Sequence, residues 1–152
     1  MRMLGYGMMW GLCVAGFARG EDAATARPDV VLTDEALEIH RSAIVADGHN
    51  DLPWTMRTKA DSSFEKVDIA TAQPAFHTDI PRLQQGGVGW QFWSAYVPAS
   101  TIRTGDAAHQ TFEQIDLIHR MIARYPDVFE MASTADDVER ICAEGKIASM
   151  IG

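Results

Sequence analysis

A histidine and an aspartate separated by one residue are the side chains in this sequence best suited to metal chemistry. His49 and Asp51 follow the apolar run 44–46 and precede Pro53. An imidazole nitrogen and a carboxylate oxygen both bind Zn²⁺, at bond lengths of about 2.0–2.2 Å. If the backbone stays extended through the tripeptide, both side chains leave the same face, with Cβ atoms roughly 6–7 Å apart. The pair predicts two ligands of one cation; the alternative is a solvated loop histidine beside a turn-forming aspartate.

The elements that must position this pair alternate between helices and strands. Runs of β-branched and aromatic residues predict strands over 44–47, 88–96 and 146–151. Helical periodicity and flanking caps predict helices over 34–42, 78–86, 106–124 and 135–144. Strands joined by helical crossovers form a parallel sheet, and chemistry in such folds gathers at the carboxyl ends of the strands. Because the pair follows the first strand, we expect it at such an end.

Local signals mark the ends of these helices. Thr33 and Thr78 have N-cap chemistry, and Thr134 begins an approximate capping box. Gly86 is expected to end the second helix in the left-handed conformation. The apolar stripe of the longest helix is predicted to contain Phe112, Ile115, Ile118, Ile122 and Tyr125. No period holds over 52–77, which predicts a long loop that is functional or carries small helices.

The composition of the 152 residues is that of a globular domain. Hydrophobic residues make up 47% and charged residues 22%, which excludes a disordered or fibrous chain. The formal net charge of −8 argues against a nucleic-acid partner, because basic residues are needed to neutralise phosphates.

The first 20 residues are predicted to be a secretory signal peptide. Arg2 precedes an apolar stretch over 3–17, and small residues occupy the −3 and −1 positions of a cleavage site before Glu21. The alternative is a membrane anchor, but the stretch is shorter than the ~20 residues that a spanning helix needs. Cleavage would leave a flexible lead-in over 21–32 and predicts an exported protein. Membrane association and oligomeric state stay open.

Cleavage would also leave a single cysteine in the mature chain. Cys13 would be removed with the signal peptide and Cys142 would remain, so no internal disulfide is expected. We interpret Cys142 as a small apolar helix residue.

Four stretches of the sequence carry a family pattern in order. They are DGHNDLPW at 47–54, TDIPRLQQGGVGWQFWS at 78–94, QIDLIHRMIARYP at 114–126 and GKIASMIG at 145–152. Together they resemble the membrane (renal) dipeptidase family of zinc peptidases. The match runs from about Thr33 to the last residue, and four motifs at family spacing are far more specific than any one of them.

The resemblance implies the α/β fold of a (β/α)8 barrel of the TIM type. Residues 33–152 would supply its amino-terminal portion, about three strand–helix units. It also implies a site with two zinc ions that hydrolyses dipeptides, including some with a D-residue at the C-terminal position. In the family the His-x-Asp on the first strand supplies ligands to one zinc, a role that the match gives to His49 and Asp51. A bridging glutamate and two later histidines complete the family site and are expected beyond Gly152, so the chain as given is expected to be an inactive fragment.

Several other residues have two interpretations each. Asp47 shares the face of His49 and Asp51, and it either orients a ligand or bonds backbone amides at the strand end. Trp54 either belongs to the core or lines the substrate cavity. Trp90 stands where the family usually has a small residue, and it either repacks the second strand or narrows the site. The remaining histidines are interpreted as helix or loop residues without a family role: His40, His77, His109 and His119.

Two functions of different classes remain open at this point. The first is a metallodipeptidase, of which this chain is the amino-terminal part. The second is a non-catalytic secreted α/β protein that keeps the scaffold without a complete metal site. They differ in whether a glutamate directly after Gly152 and two later histidines are encoded downstream.

Overall fold

Helices and strands alternate along residues 29–152, the part of the chain that a computed structural model describes. In chain order they are α1 Asp34–Ser42, β1 Val45–Asn50, α2 Leu52–Ala60, α3 Ile80–Gln85, β2 Val88–Trp93, α4 Thr101–Thr104, α5 Ala107–Arg124, β3 Phe129–Met131, α6 Ala135–Ala143 and β4 Ile147–Ile151. Residues 29–32 are exposed and contain no helix or strand. The predicted signal peptide over 1–20 and residues 21–28 of the predicted lead-in lie outside the described residues. None of the described helices is long and apolar enough to cross a membrane.

The four strands form one parallel sheet in the order β1-β2-β4-β3. The three predicted strands are β1, β2 and β4, and they are neighbours whose carboxyl ends share one edge. The prediction made from strand–helix alternation is therefore confirmed. β3 was not predicted, because three residues are too few to show a period. It pairs with the first half of β4, from Phe129 opposite Ile147 to Met131 opposite Ser149.

The first two strands end at other residues than predicted. β1 spans Val45–Asn50 and includes His49, whereas the glycine before the histidine predicted a loop there. β1 lies at the edge of the sheet, so Ala46 and His49 are exposed and the strand is not the buried one that its apolar run predicts. β2 ends at Trp93, earlier than predicted, although the amide of Ser94 still donates to the carbonyl of Asn50, the last residue of β1, at 3.0 Å.

The main core is formed by side chains of α2, α3 and α5 together with the strands. Its centre is Trp93, which is fully buried and meets the ring of Phe129 edge-on at a centroid distance of 5.5 Å. Burial of apolar surface of this kind stabilises the fold by roughly 25 cal/mol per Å². The other large buried side chains are Leu52, Met56, Phe64, Ile69, Phe76, Ile80, Leu83, Leu117, Ile118, Met121 and Ile147.

The longest helix, α5, buries a face that overlaps the predicted apolar stripe in part. The residues that it buries are Gln114, Leu117, Ile118 and Met121. Phe112, which headed the predicted stripe, is 71% exposed. Both sets have helical spacing, but the buried set contains a glutamine that an apolar pattern does not select. Of the predicted stripe, Ile118 is fully buried and Ile122 and Tyr125 pack against the core, so the inward face was predicted in part.

A second, smaller core connects α6 to the sheet. It is formed by Ala132, Val138, Ile141 and Ala148, and three partly buried side chains pack against it: Trp90, Cys142 and Met150. The capping box predicted at Thr134 is present, since its hydroxyl accepts the amide of Asp137 and the Asp137 carboxylate accepts the amide of Thr134. Gly145, which follows α6, has a φ of +78°.

The segment 52–77 carries a small helix, α2 at 52–60, which was one of the two predicted alternatives, although the residues that form it were not predicted. Two other local predictions were wrong. Asp79 caps α3, because its carboxylate accepts the amide of Arg82. Thr78, the predicted cap, instead donates its hydroxyl to the site described below.

The left-handed residue after α3 is Gly87, with a φ of +66°, and not the predicted Gly86.

Candidate metal centre

His49 and Asp51 lie at the carboxyl edge of the sheet and are brought together there. His49 is the fifth residue of β1, and Asp51 occupies the N-cap position of α2. The imidazole Nε2 of His49 is 3.2 Å from Oδ1 of Asp51, and the side chains are 67% and 52% exposed. The convergence predicted from their i, i+2 spacing is therefore present, even though Asp51 itself has left the strand.

The strand end that carries His49 contains one extra residue relative to its neighbour. Asp47 pairs with Gln91 and Asn50 pairs with Trp93, so three steps along β1 match two steps along β2. The extra residue falls in the segment 48–49. Bulges of this kind re-aim side chains and occur next to functional sites.

A matching irregularity lies at the start of the same strand pair. Val45 pairs with Val88 and Ala46 pairs with Trp90, so Gly89 is an extra residue on β2. The two irregularities compensate, because each strand advances five residues between its first and last pair. The first and last pairs of the two strands are thus in the same register, and the pairs between them are shifted by one residue.

Asp47 bonds the backbone at the strand end. Its Oδ1 accepts the amide of His49 at 3.0 Å, and its Oδ2 accepts the side-chain amide of Asn50 at 3.2 Å. Burial alone would raise the pKa of Asp47, but these hydrogen bonds outweigh it and the pKa is lowered. Of the two interpretations of Asp47, the structure favours the second, in which it bonds amides of its own strand end.

Asn50 connects this strand end to two other elements. Its Oδ1 accepts the amide of Leu52 at 3.0 Å and the hydroxyl of Thr78 at 3.3 Å. Its Nδ2 lies 3.5 Å from Oε1 of Gln91. We refer to Asp47, Asn50, Thr78 and Gln91 as the strand-end network. Its members come from β1, β2 and the segment before α3, so the network ties together the elements around the metal-ligand pair.

Sequence reasoning gave no role to His77, which lines a cavity together with Asp51 of the pair. A cavity of about 60 Å³ is lined by Asn50, Asp51, Leu52, Thr55, His77 and Thr78. The only sequence signal for His77 is its position next to Thr78, and that threonine was read as a helix cap.

The geometry of the pair fits a metal ion that it would share with other ligands. Two donors at about 2.0–2.2 Å from a tetrahedral zinc are roughly 3.4 Å apart, which is close to the observed 3.2 Å. Within residues 29–152, no group of three or more His, Cys, Asp or Glu side chains could hold a metal ion. The described residues thus supply two donors, where a catalytic zinc usually has three protein ligands.

The two tryptophans singled out in the sequence occupy different surroundings. Trp54 lies in the first turn of α2 and packs edge-on against Tyr96 at a centroid distance of 5.2 Å. Trp90 packs against Phe92 at 5.3 Å and lines a groove of about 450 Å³ with Ala46 and residues of α6 and β4. Neither His49 nor Asp51 lines that groove, so Trp90 borders the groove and not the pair.

His40, His109 and Cys142 each have a partner outside the candidate site. His40 Nε2 lies 2.9 Å from the carbonyl oxygen of Gly86. His109 lies 3.2 Å from Glu113 in the next turn of α5, and His119 is an exposed residue of the same helix. The thiol of Cys142 donates to the carbonyl of Gly89 at 3.1 Å, and burial raises its pKa, as expected for a packed helix residue.

Comparison with known proteins gives a consistent set of relatives. The family model described as membrane dipeptidase (peptidase family M19) matches residues 33–152. Dipeptidase ataJ of Aspergillus terreus is 45% identical over 113 residues, which are 70% of this chain and 27% of that protein. Dipeptidase verJ of Clonostachys rogersoniana is 39% identical over 127 residues, or 78% of this chain and 32% of that protein. Dipeptidase 3 of Mus musculus is 38% identical over 124 residues, or 82% of this chain and 24% of that protein.

The fold has a counterpart among solved structures. A crystal structure described as dipeptidase AC, a metallopeptidase of family M19, matches with a TM-score of 0.56 and 23% identity, over 71% of this chain and 34% of that chain. With the parallel strand–helix units, this likeness confirms the predicted fold class, part of a (β/α)8 barrel. The chain spans between 24% and 32% of the length of the curated relatives described above.

Proposed function

Because the chain belongs to the membrane dipeptidase family, peptidase family M19, we propose that it supplies the first two metal ligands of a zinc-dependent dipeptidase. The proposed reaction is hydrolysis of the peptide bond of a dipeptide. Since the chain spans at most 32% of the relatives described above, we assign this activity to the full-length protein, meaning the whole translated product that contains these residues.

The observation that carries the proposal is the 3.2 Å separation between His49 Nε2 and Asp51 Oδ1 at the carboxyl end of β1. Carboxyl ends of strands are where parallel α/β folds and barrels place their chemistry. Both side chains are more than half exposed, so a metal ion and a substrate can reach them from solvent.

The proposed ligands differ in what they contribute. His49 offers a neutral imidazole nitrogen, and Asp51 offers a carboxylate whose negative charge offsets that of the cation. When bound, a pair of zinc ions would polarise the scissile carbonyl and lower the pKa of the attacking water. Further ligands, which by family resemblance are a bridging glutamate and two histidines, would come from residues beyond Gly152.

The packed aromatic pair of Trp54 and Tyr96 supports a role in binding a small substrate. Trp54 lies three residues after Asp51, and its contact with Tyr96 fixes the indole edge-on. We assign Trp54 to the side of the substrate cavity, where an indole can cover an apolar side chain of the dipeptide.

The test compares His49→Ala and Asp51→Ala with the unaltered full-length protein. Bound zinc is counted by mass spectrometry, and hydrolysis is followed with dipeptides that carry an L- or a D-residue at the C-terminal position. We expect two zinc ions in the unaltered protein and a loss of activity of at least about 100-fold in either variant. Circular dichroism should be unchanged, because both residues are exposed at a strand end and contribute little to the core.

His119→Ala is the matched control, since His119 is an exposed histidine of α5 outside the candidate site. It should keep the zinc content and the activity of the unaltered protein. Full activity in His49→Ala would refute the assigned ligand. A full-length protein that binds no zinc and hydrolyses no dipeptide would instead favour the non-catalytic alternative.

A further inference from the structure

Gln91 is a fully buried polar residue next to the candidate metal centre. It lies on β2 directly opposite Asp47, and it is 0% exposed. Its side-chain Nε2 donates to the carbonyl oxygen of Asp47 at 3.2 Å and to that of Phe92 at 3.0 Å. One amide group thus bonds backbone carbonyls on two neighbouring strands.

The position of these bonds coincides with the break in the ladder. The extra residue of β1 falls in the segment 48–49, directly after the carbonyl that Gln91 binds. Where a bulge displaces the backbone, its polar groups lose regular ladder partners and need others. The side chain of Gln91 supplies such a partner at this position, and its Oε1 lies 3.5 Å from the Asn50 side chain on the far side of the bulge.

A second buried glutamine shows that burial alone does not produce such contacts. Gln114 on α5 is also 0% exposed, yet neither its Nε2 nor its Oε1 has a hydrogen-bond partner among the described residues. The two glutamines are equal in burial and differ in what their amides bind. The contacts of Gln91 are therefore specific to the strand end.

We propose that Gln91 is a positioning residue for the metal-ligand pair. By holding the bulged end of β1 against β2, its side-chain amide keeps the imidazole of His49 within reach of the cation that Asp51 binds. This inference takes the identity of the cation from the proposed function. The role of the Gln91 amide is argued from the geometry alone. Groups that orient metal ligands are worth about 10- to 100-fold in metal affinity.

The test replaces each buried glutamine by methionine, which has a similar volume and no amide, in the full-length protein. Zinc affinity is measured by competition with a chromophoric chelator, and the Co²⁺-substituted protein is examined by its visible absorption. Gln91→Met should lower zinc affinity by about 10- to 100-fold and change the Co²⁺ spectrum. Gln114→Met should leave both unchanged.

Amide hydrogen exchange in the metal-free protein provides a readout that does not depend on zinc. The amide of His49 donates to Asp47 within the bulge, so its exchange should accelerate in Gln91→Met and not in Gln114→Met. If Gln91→Met does not fold, Gln91→Asn, which keeps the amide but is one methylene shorter, should show the same losses in smaller degree.

Two results would overturn the proposal. One is a Gln91→Met protein that is less stable but has unchanged zinc affinity, Co²⁺ spectrum and His49 exchange, because Gln91 would then be a structural residue only. The other is an equal effect of both glutamine variants. If His49→Ala binds zinc as tightly as the unaltered protein, the proposed function fails instead, and the exchange of the His49 amide still decides the role of Gln91.

Discussion

The carboxylate of Asp79 lies 2.8 Å from the guanidinium of Arg82, and Asp79 is only 1% exposed. The carboxylate also accepts the amide of Arg82 at 2.9 Å and that of Gln73 at 2.8 Å, and Arg82 donates to the carbonyl of Phe76 at 2.9 Å. Through these bonds the ion pair holds both ends of the segment 73–79 together, and this segment contains His77 and Thr78 of the candidate site. The side-chain hydrogen bond from Arg82, helped by the two amides, outweighs burial and lowers the pKa of Asp79 to about 2.

The first prediction concerns the pH dependence of stability. A carboxyl whose pKa is lower in the folded than in the unfolded chain stabilises the fold above its unfolded pKa, and this stabilisation is lost as pH falls through the folded value. For Asp79 the window runs from about pH 4 down to about pH 2. Asp79→Asn should lower the free energy of unfolding by on the order of 2 kcal/mol at neutral pH. The stability of this variant should also not show the decrease that protonation of Asp79 causes in this pH window. Urea unfolding of the full-length protein at a series of pH values measures both.

Asp61→Asn is the control for this prediction. Asp61 is paired with Lys66, but its side chain is 78% exposed, and an exposed pair of this kind contributes little to stability. Asn also tolerates the φ of +49° at this position. A loss as large in Asp61→Asn as in Asp79→Asn would show that burial of the Asp79 pair is not the reason for its effect.

The second prediction concerns Gln114, whose buried amide has no hydrogen-bond partner among residues 29–152. A buried unsatisfied polar group costs about 1–3 kcal/mol. Gln114→Met removes that group and keeps the volume, so the free energy of unfolding should rise by about 1 kcal/mol or more. Denaturant unfolding at constant m-value measures the change.

Gln110→Met is the matched control on the same helix. Gln110 is half-buried and donates to the carboxylate of Asp106 at 2.7 Å. Its replacement should leave stability unchanged or slightly lower. If Gln114→Met instead lowers the free energy of unfolding, the side-chain amide of Gln114 must bind a partner outside residues 29–152, and the prediction is wrong.

Much of the fold follows from the sequence because its strongest patterns are local. β2 is rich in aromatic residues and α5 has 18 residues at helical spacing, so both were predicted within a few residues of their bounds. β3 was not predicted and the position of α2 was not specified, and both have physical reasons. A three-residue strand has no measurable period, and α2 buries a proline and an alanine that do not stand out as apolar.

The sequence was sufficient to choose the two metal-ligand residues, but it was not sufficient to predict how the strand end positions them. His49 and Asp51 could be chosen because imidazole and carboxylate are zinc ligands and because the pair follows a strand. The bulge at 48–49 could not be foreseen, since it is defined by which residue of β2 faces each residue of β1. Gln91 was overlooked for the same reason, because its partner Asp47 is 44 residues away in sequence.

The third prediction concerns the amino terminus, which lies outside the described residues. The basic start, the apolar stretch over 3–17 and the small residues before Glu21 predict cleavage by a signal peptidase. We propose that the protein is exported, and we expect the mature chain to begin at Glu21. Mass spectrometry of the amino-terminal peptide from the exported fraction tests this, with Arg2→Glu as a variant that should slow export. A protein that is retained in the cell with an intact amino terminus would contradict both the cleavage and the export.

The last prediction compares the two glycines at the compensating irregularities of β1 and β2. A Cβ on Gly89 would lie 3.2 Å from the Ile44 side chain and 3.3 Å from the thiol of Cys142, where two packed elements would have to move. A Cβ on Gly48 would meet nothing within 4 Å, and Gly48 does not have a positive φ. Gly89→Ala should therefore cost about 1–3 kcal/mol of stability, as overpacking does.

Gly48→Ala should change stability by less than about 0.5 kcal/mol, although Gly48 precedes the metal-ligand pair directly. Denaturant unfolding and zinc titration of the two full-length variants measure the contrast. Because the displaced segment at 48–49 is exposed, Gly48→Ala should also keep its zinc affinity. A Gly48→Ala protein that folds but no longer binds zinc would mean that the approach of the metal or of another ligand, and not the packing of β1, requires a glycine at this position.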